Sequence, residues 1–156
     1  MYIKESSSPT IAKSPVTLIV VFVWIGFVCA ISFMEAWLKF RAPGITLALG
    51  LGIGRLVFAA LNKVEWVLVI AAFAGMLLSR QRVSTFSGLG LFIPLILLCI
   101  QTIWLLPSLD IRAIMHMEGR VVPPSNLHFY YVAIEAVKII CLSLFGMSLF
   151  KTRIQA

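Results

Sequence analysis

Four long apolar runs constrain this chain more than any other feature. The first, "SPVTLIVVFVWIGFVCAISFM" at 14–34, holds no charged residue, and about 20 apolar residues are enough for a helix to cross the hydrocarbon core of a bilayer. It continues into Glu35, Trp37 and Lys39, which suit a far interface, so the first span is expected near 14–38. A signal peptide would have a shorter apolar region, and "FVC" ahead of Ala30 is a poor cleavage site.

The next stretch, "APGITLALGLGIGRLVFAALNKVEWVLVIAAFAGMLLS", is much longer than one span and carries Arg55, Lys63 and Glu65 in its middle. Charges are tolerated better at an interface than at the midplane. That places a shallow or re-entrant lead-in helix near 44–57 and span two near 58–79. Span three is expected near 84–106, with Pro94 as a kink and Pro107 as a stop. Span four follows near 126–150, after "VVPPSN", whose Ser125 or Asn126 suits an N-cap. The fold class is therefore all-α: an integral membrane four-helix bundle forming a single domain over residues 1–156.

Composition agrees, with 61% hydrophobic residues, 12% charged and a mean hydropathy of +1.04, outside the range of water-soluble domains. The net charge of +7 does not indicate nucleic acid, because the basic residues are scattered singly and form no stripe. Cys29, Cys99 and Cys141 all sit in apolar runs, where a thiol is a small buried hydrophobe and not half of a disulfide. With four spans, Lys4, Lys13, Arg80, Arg82, Lys151 and Arg153 share one side against one acid, Glu5, while Lys39, Arg41, Arg112 and Arg120 lie on the other, joined by Arg55 and Lys63 where those count as outside the membrane, which levels the two sides. The positive-inside rule then puts both termini in the cytoplasm, in an inner or plasma membrane.

The charges inside the spans raise the functional question. Along "FYYVAIEAVKII", His128, Tyr131, Glu135 and Lys138 fall within an arc of about 80° at helical spacing, and Arg55, Asn62 and Glu65 form a similar stripe on span two. Each central charge costs ~2.5 to 3.5 kcal/mol on the insertion scale, whereas each Leu, Ile, Phe or Val returns only ~0.3 to 0.6. Residues 129–150 contain roughly eleven of those four types, so their combined ~5 kcal/mol is about cancelled by Glu135 and Lys138. Span four needs partners on other helices.

Glu35, Gln101 and Glu65 fall in the same outer half as Glu135 and Lys138. One reading is a hydrated, outward-facing pocket for a small solute or ion, lined by Glu35, Arg55, Asn62, Glu65, Gln101, His128, Tyr131, Glu135 and Lys138. A second is a structural or accessory subunit whose buried charges only hold helices together. A third, an intramembrane enzyme using Glu135 with His128, has thinner support, because no Ser-His-Asp order, H-E-x-x-H or phosphate loop is present.

Two shorter motifs have competing meanings. "GLGIG" at 50–54 resembles half a dinucleotide fingerprint but lacks its βαβ setting, and Gly50 and Gly54 fit a G-x-x-x-G helix-packing pair better. "IMHMEG" at 114–119 sets Met115 and Met117 around His116, a soft donor set of the kind copper(I) or another soft metal takes; beyond that, the sequence names no cofactor. Besides the lipid bilayer and a small solute or ion, a homo-oligomer or larger membrane complex is compatible with such a chain.

The tryptophan-bearing first span followed by "LKFRAPGITLALGLG", the "WLLPSLDIRAIMHMEG" that closes span three and the "SNLHFYYVAIEAVKI" that opens span four resemble small four-span membrane proteins of the transmembrane protein 205 type and their bacterial relatives. The resemblance covers most of the layout. It implies a four-helix membrane fold and a link to metal-drug or heavy-metal tolerance, and it carries no pattern that includes Glu135 and Lys138.

Overall fold

A computed structural model of the chain describes residues 10–12, 14–79 and 85–152, with the backbone alone described at 10–11, 85–89 and 151–152. Lys4, Glu5, Lys13, Arg80, Arg82 and Arg153, used above to orient the chain, lie outside the described residues, as does residue 84 at the expected start of span three. Helix α1 (Pro15–Arg41) begins with Pro15 in its first turn, where the missing N–H costs nothing and φ is already helical. It ends because Ala42 precedes Pro43 and is extended, with ψ 135°, the conformation a following proline enforces. Gly44, at φ +80°, turns the chain back toward helix α2.

Helix α2 (Leu47–Leu78) is 32 residues long and is opened by Thr46, whose hydroxyl accepts the Leu49 N–H at 3.3 Å. The lead-in expected near 44–57 and the span expected near 58–79 are therefore one continuous helix. At ~1.5 Å per residue it is ~48 Å long, longer than a ~30 Å hydrocarbon core. The surplus length puts the first turns, including Arg55, near or beyond the interface without a break.

Helix α3 (85–117) contains Pro94 and runs past Pro107. The expected stop at Pro107 fails because a π segment, Gln101–Leu105, precedes it. The wider turn leaves room for a ring that would clash with a regular helix, and Pro107 sits in the first turn of the segment that follows. Residues 108–117 are thus helical and not a connection. Helix α4 (Leu127–Ser148) starts beside Ser125, whose hydroxyl accepts the Leu127 N–H at 3.2 Å.

Each helix packs on two others in a closed ring. α1 lies between α2 and α4, and α3 meets α4 along its first half and α2 along its last. Among the described residues the one strand pairing is a short antiparallel ribbon, β1 (Thr10–Ala12) with β2 (Phe150–Thr152), which ties the start of α1 to the end of α4. Both ends of the described chain are therefore at one end of the bundle.

Burial is inverted relative to a water-soluble bundle. The exposed faces carry Leu56, Leu77, Leu78, Ile103 and Phe129, while Lys138, Glu65, Glu135 and Gln101 are fully buried. Lipid presents no penalty to the former and a severe one to the latter. The four long helices are each apolar enough to cross a membrane, and the protein is a small multi-pass membrane protein.

Candidate functional site

Lys138 is the hub of the interior. Its ammonium pairs with the Glu65 carboxylate of α2, donates to Gln101 Oε1 of α3 at 2.6 Å, and lies 3.0 Å from Glu135 Oε2 one turn back on α4. An ammonium has three N–H donors, and here three oxygens surround it. Trp24 of α1 donates its indole N–H to Glu65 Oε1 at 2.8 Å, and the Gln101 amide donates to Glu135 Oε1 at 3.0 Å. All four helices thus contribute to one buried network. Tyr131 lies beside Glu135 and Ser32, and the Ser32 hydroxyl makes no hydrogen bond of good geometry.

A second, smaller set joins α2 to α3. The Asn62 amide and the Trp66 indole both donate to Thr102 Oγ1, at 2.9 and 3.0 Å, and the hydroxyl donates in turn to the Leu98 carbonyl at 2.8 Å. Gln101 and Thr102 open the π segment of α3, and Ser32 and Glu35 lie in the π segment Cys29–Glu35 of α1. The neighbouring amide and hydroxyl of α3 consequently serve two networks, Gln101 facing α4 and Thr102 facing α2.

Toward the end opposite the termini, a cavity of about 750 Å³ opens between all four helices. Its wall is mostly apolar, with Phe40, Leu51, Phe58 and Leu106, and its polar groups are Lys39, Arg55, Asn62, Lys63, Thr102, Asp110 and His128. Arg55 grips Asp110 through two nitrogens, Nε to Oδ1 and Nη2 to Oδ2 at 3.1 Å, the fork geometry that suits a carboxylate. Lys39 pairs with Glu35 at 3.2 Å and lies 5.1 Å from the centre of the Phe58 ring.

The glycine pair on α2 makes this packing possible. A Cβ on Gly50 would overlap the Phe40 ring, and one on Gly54 would stand 2.9 Å from Lys39 Nζ. The G-x-x-x-G pair therefore seats two side chains of α1, and the close approach is of helix to side chain.

The single hydrated pocket expected from the sequence divides in two. Glu65, Gln101, Tyr131, Glu135 and Lys138 are sealed in the interior, whereas Arg55, Asn62 and His128 line the cavity, and Glu35 reaches it only through Lys39. His128 makes no hydrogen bond to Glu135 among the described residues; Tyr131 occupies the intervening turn. Met115, His116 and Met117 are consecutive positions in the last turn of α3, ~100° apart around the axis, so they diverge and do not present three donors to one ion. Met117 lies against Gly52 instead.

Trp24, Thr102 and Asp110 carry no role in the reading from sequence. Asp110 is the only aspartate of the chain, and its proper signal was the need of Arg55 for a counter-charge; reading 107–125 as a connection hid it. No family model matches the chain, and neither does any curated protein or solved structure.

Proposed function

We propose that the protein binds a small solute in the cavity at the end of the bundle opposite its termini, with that end facing away from the cytoplasm of a cell bounded by the inner or plasma membrane in which it sits. The observation that carries this reading is the cavity itself. Its volume of about 750 Å³ falls within the ~300–1,000 Å³ typical of ligand sites, and it has their mixture of apolar wall and a few fixed polar groups. Six basic residues beside the termini, Lys4, Lys13, Arg80, Arg82, Lys151 and Arg153, against five at the other end, Lys39, Arg41, Arg55, Arg112 and Arg120, support the orientation by a margin of one.

The buried network supports a complementary role and not a second pocket. Its ammonium donates to Glu65 and Gln101 and is ion-paired with Glu135, and its members are fully buried, so it serves as the joint that holds four helices in register. This is the reading of an accessory or structural subunit applied to that part of the interior alone. Movement of solute past it would require the network to break, and the closed bundle is accordingly a binding state.

Accessibility tests the proposal. In a background with Cys29, Cys99 and Cys141 replaced by serine, Ala59→Cys places one thiol on the cavity wall. A membrane-impermeant maleimide added outside sealed cells should label it, and the same reagent confined to the cytoplasmic side should not. No labelling from outside would overturn the reading.

A further inference from the structure

Lys63 differs from every other lysine and arginine whose side chain is described. Lys39 pairs with Glu35, Arg41 lies over the Trp37 ring, Arg55 grips Asp110, Arg112 donates to the Pro123 carbonyl, Arg120 pairs with Glu118, and Lys138 is held by the buried network. Lys63 has no counter-charge and no hydrogen bond among the described residues. It lines the cavity and is exposed, 16 residues into α2 and about two turns beyond Arg55, on a helix otherwise apolar enough to cross a membrane.

Lys63 is exposed on the cavity side of α2, and an ammonium on an otherwise mostly apolar wall favours an anion seated beside it. The cavity also fixes the form of the rest of the ligand. Lys39 and Arg55 are neutralised by Glu35 and Asp110, which leaves one uncompensated positive charge on an otherwise mostly apolar wall built from Phe40, Leu51, Phe58 and Leu106. We infer that the cavity takes an amphipathic monoanion, a carboxylate or phosphodiester carrying an apolar chain, with Lys63 as the counter-ion of its head group. The inference rests on the binding reading above and adds the ligand class to it. A bilayer lipid and a free amphiphile from the outer medium share this chemistry.

The test uses the full-length protein in nanodiscs of zwitterionic lipid, titrated with dodecanoate, dodecanol and dodecyltrimethylammonium. Dodecanoate should bind tightest, and Lys63→Met should weaken it by about tenfold, the loss of one charge-assisted contact. Arg120→Gln, outside the cavity, should change nothing. If none of the three probes binds, the cavity reading itself falls. If dodecanol or the ammonium binds as well as dodecanoate, or if Lys63→Met binds dodecanoate unchanged, the cavity reading stands and the monoanion assignment is overturned. Native mass spectrometry of protein extracted from membranes separates the sources. An anionic lipid retained by the wild type and absent from Lys63→Met assigns the site to bilayer lipid, and binding of added dodecanoate without retained lipid assigns it to a free amphiphile.

Discussion

The ring of Phe58 meets that of Tyr131 edge to face, with centroids 5.1 Å apart and planes at 61°. Phe58 belongs to the cavity wall and Tyr131 lies beside the buried Glu135, so this one aromatic contact stands between a space open to ligand and a charge network closed to it.

Phe58→Ala should therefore admit water to the network. The indole N–H of Trp24, bonded to Glu65 at 2.8 Å, gives the readout. Its hydrogen exchange in micelles should quicken well beyond the wild-type rate while the helices remain intact by circular dichroism. Unchanged exchange would show that the Phe58 ring is not the seal.

Removing the hub should be far more damaging than trimming its rim. Lys138→Met leaves two buried carboxylates without a counter-charge, and breaking such a buried pair costs roughly 3–5 kcal/mol. Glu65→Gln keeps Lys138 paired with Glu135 and gives Trp24 a neutral acceptor, so its loss in a thermal or denaturant titration should be clearly smaller. Equal midpoints for the two variants would contradict the hub arrangement.

At the end of the bundle nearest the termini, α1 and α2 approach through Gly75. A Cβ there would lie 2.6 Å from Thr17 Oγ1 and 3.2 Å from the Thr17 backbone nitrogen, and Ser14 and Thr17 bond to the Gly75 and Ala72 carbonyls across the same seam. Gly75→Ala should destabilise by about 1–3 kcal/mol through overpacking. Gly26→Ala, inside α1 and with nothing within 4 Å of the added methyl, should hold or slightly raise the unfolding midpoint, since alanine is the better helix former.

The Arg55–Asp110 pair is partly exposed and belongs to the cavity more than to the framework. Surface pairs of this kind add little to stability. Asp110→Asn should keep the unfolding midpoint and tighten dodecanoate binding, because the freed guanidinium becomes a second partner for the anionic head. Weaker binding would mean that Asp110 itself contacts the ligand.

The bundle was legible in the sequence because lipid demands long apolar runs, and the positions of Glu135 and Lys138 already required partners on other helices. What the sequence concealed were the joins. Arg55, Lys63 and Glu65 looked like an interruption because their stabilising neighbours, Asp110, the cavity and Lys138, are 55 residues or more away along the chain or are not residues at all. Pro107 looked like a terminus because the π segment that accommodates it has no signature of composition. The grouping of nine polar residues into one pocket failed for a related reason: helical angle and depth place residues on a face, but whether a face is wet depends on rings such as Phe58 and Tyr131 that arrive from other helices.

Glu65 and Lys138 are separated by 73 positions, an interval that takes a ribosome roughly 4 to 15 s to translate at ~5–20 residues per second. Throughout that interval the nascent chain has delivered an acid to the membrane whose lysine does not yet exist. Biogenesis of this protein is thus tied to its last helix: the first three can be threaded in order, but their mutual packing is provisional until α4 leaves the insertion machinery and docks.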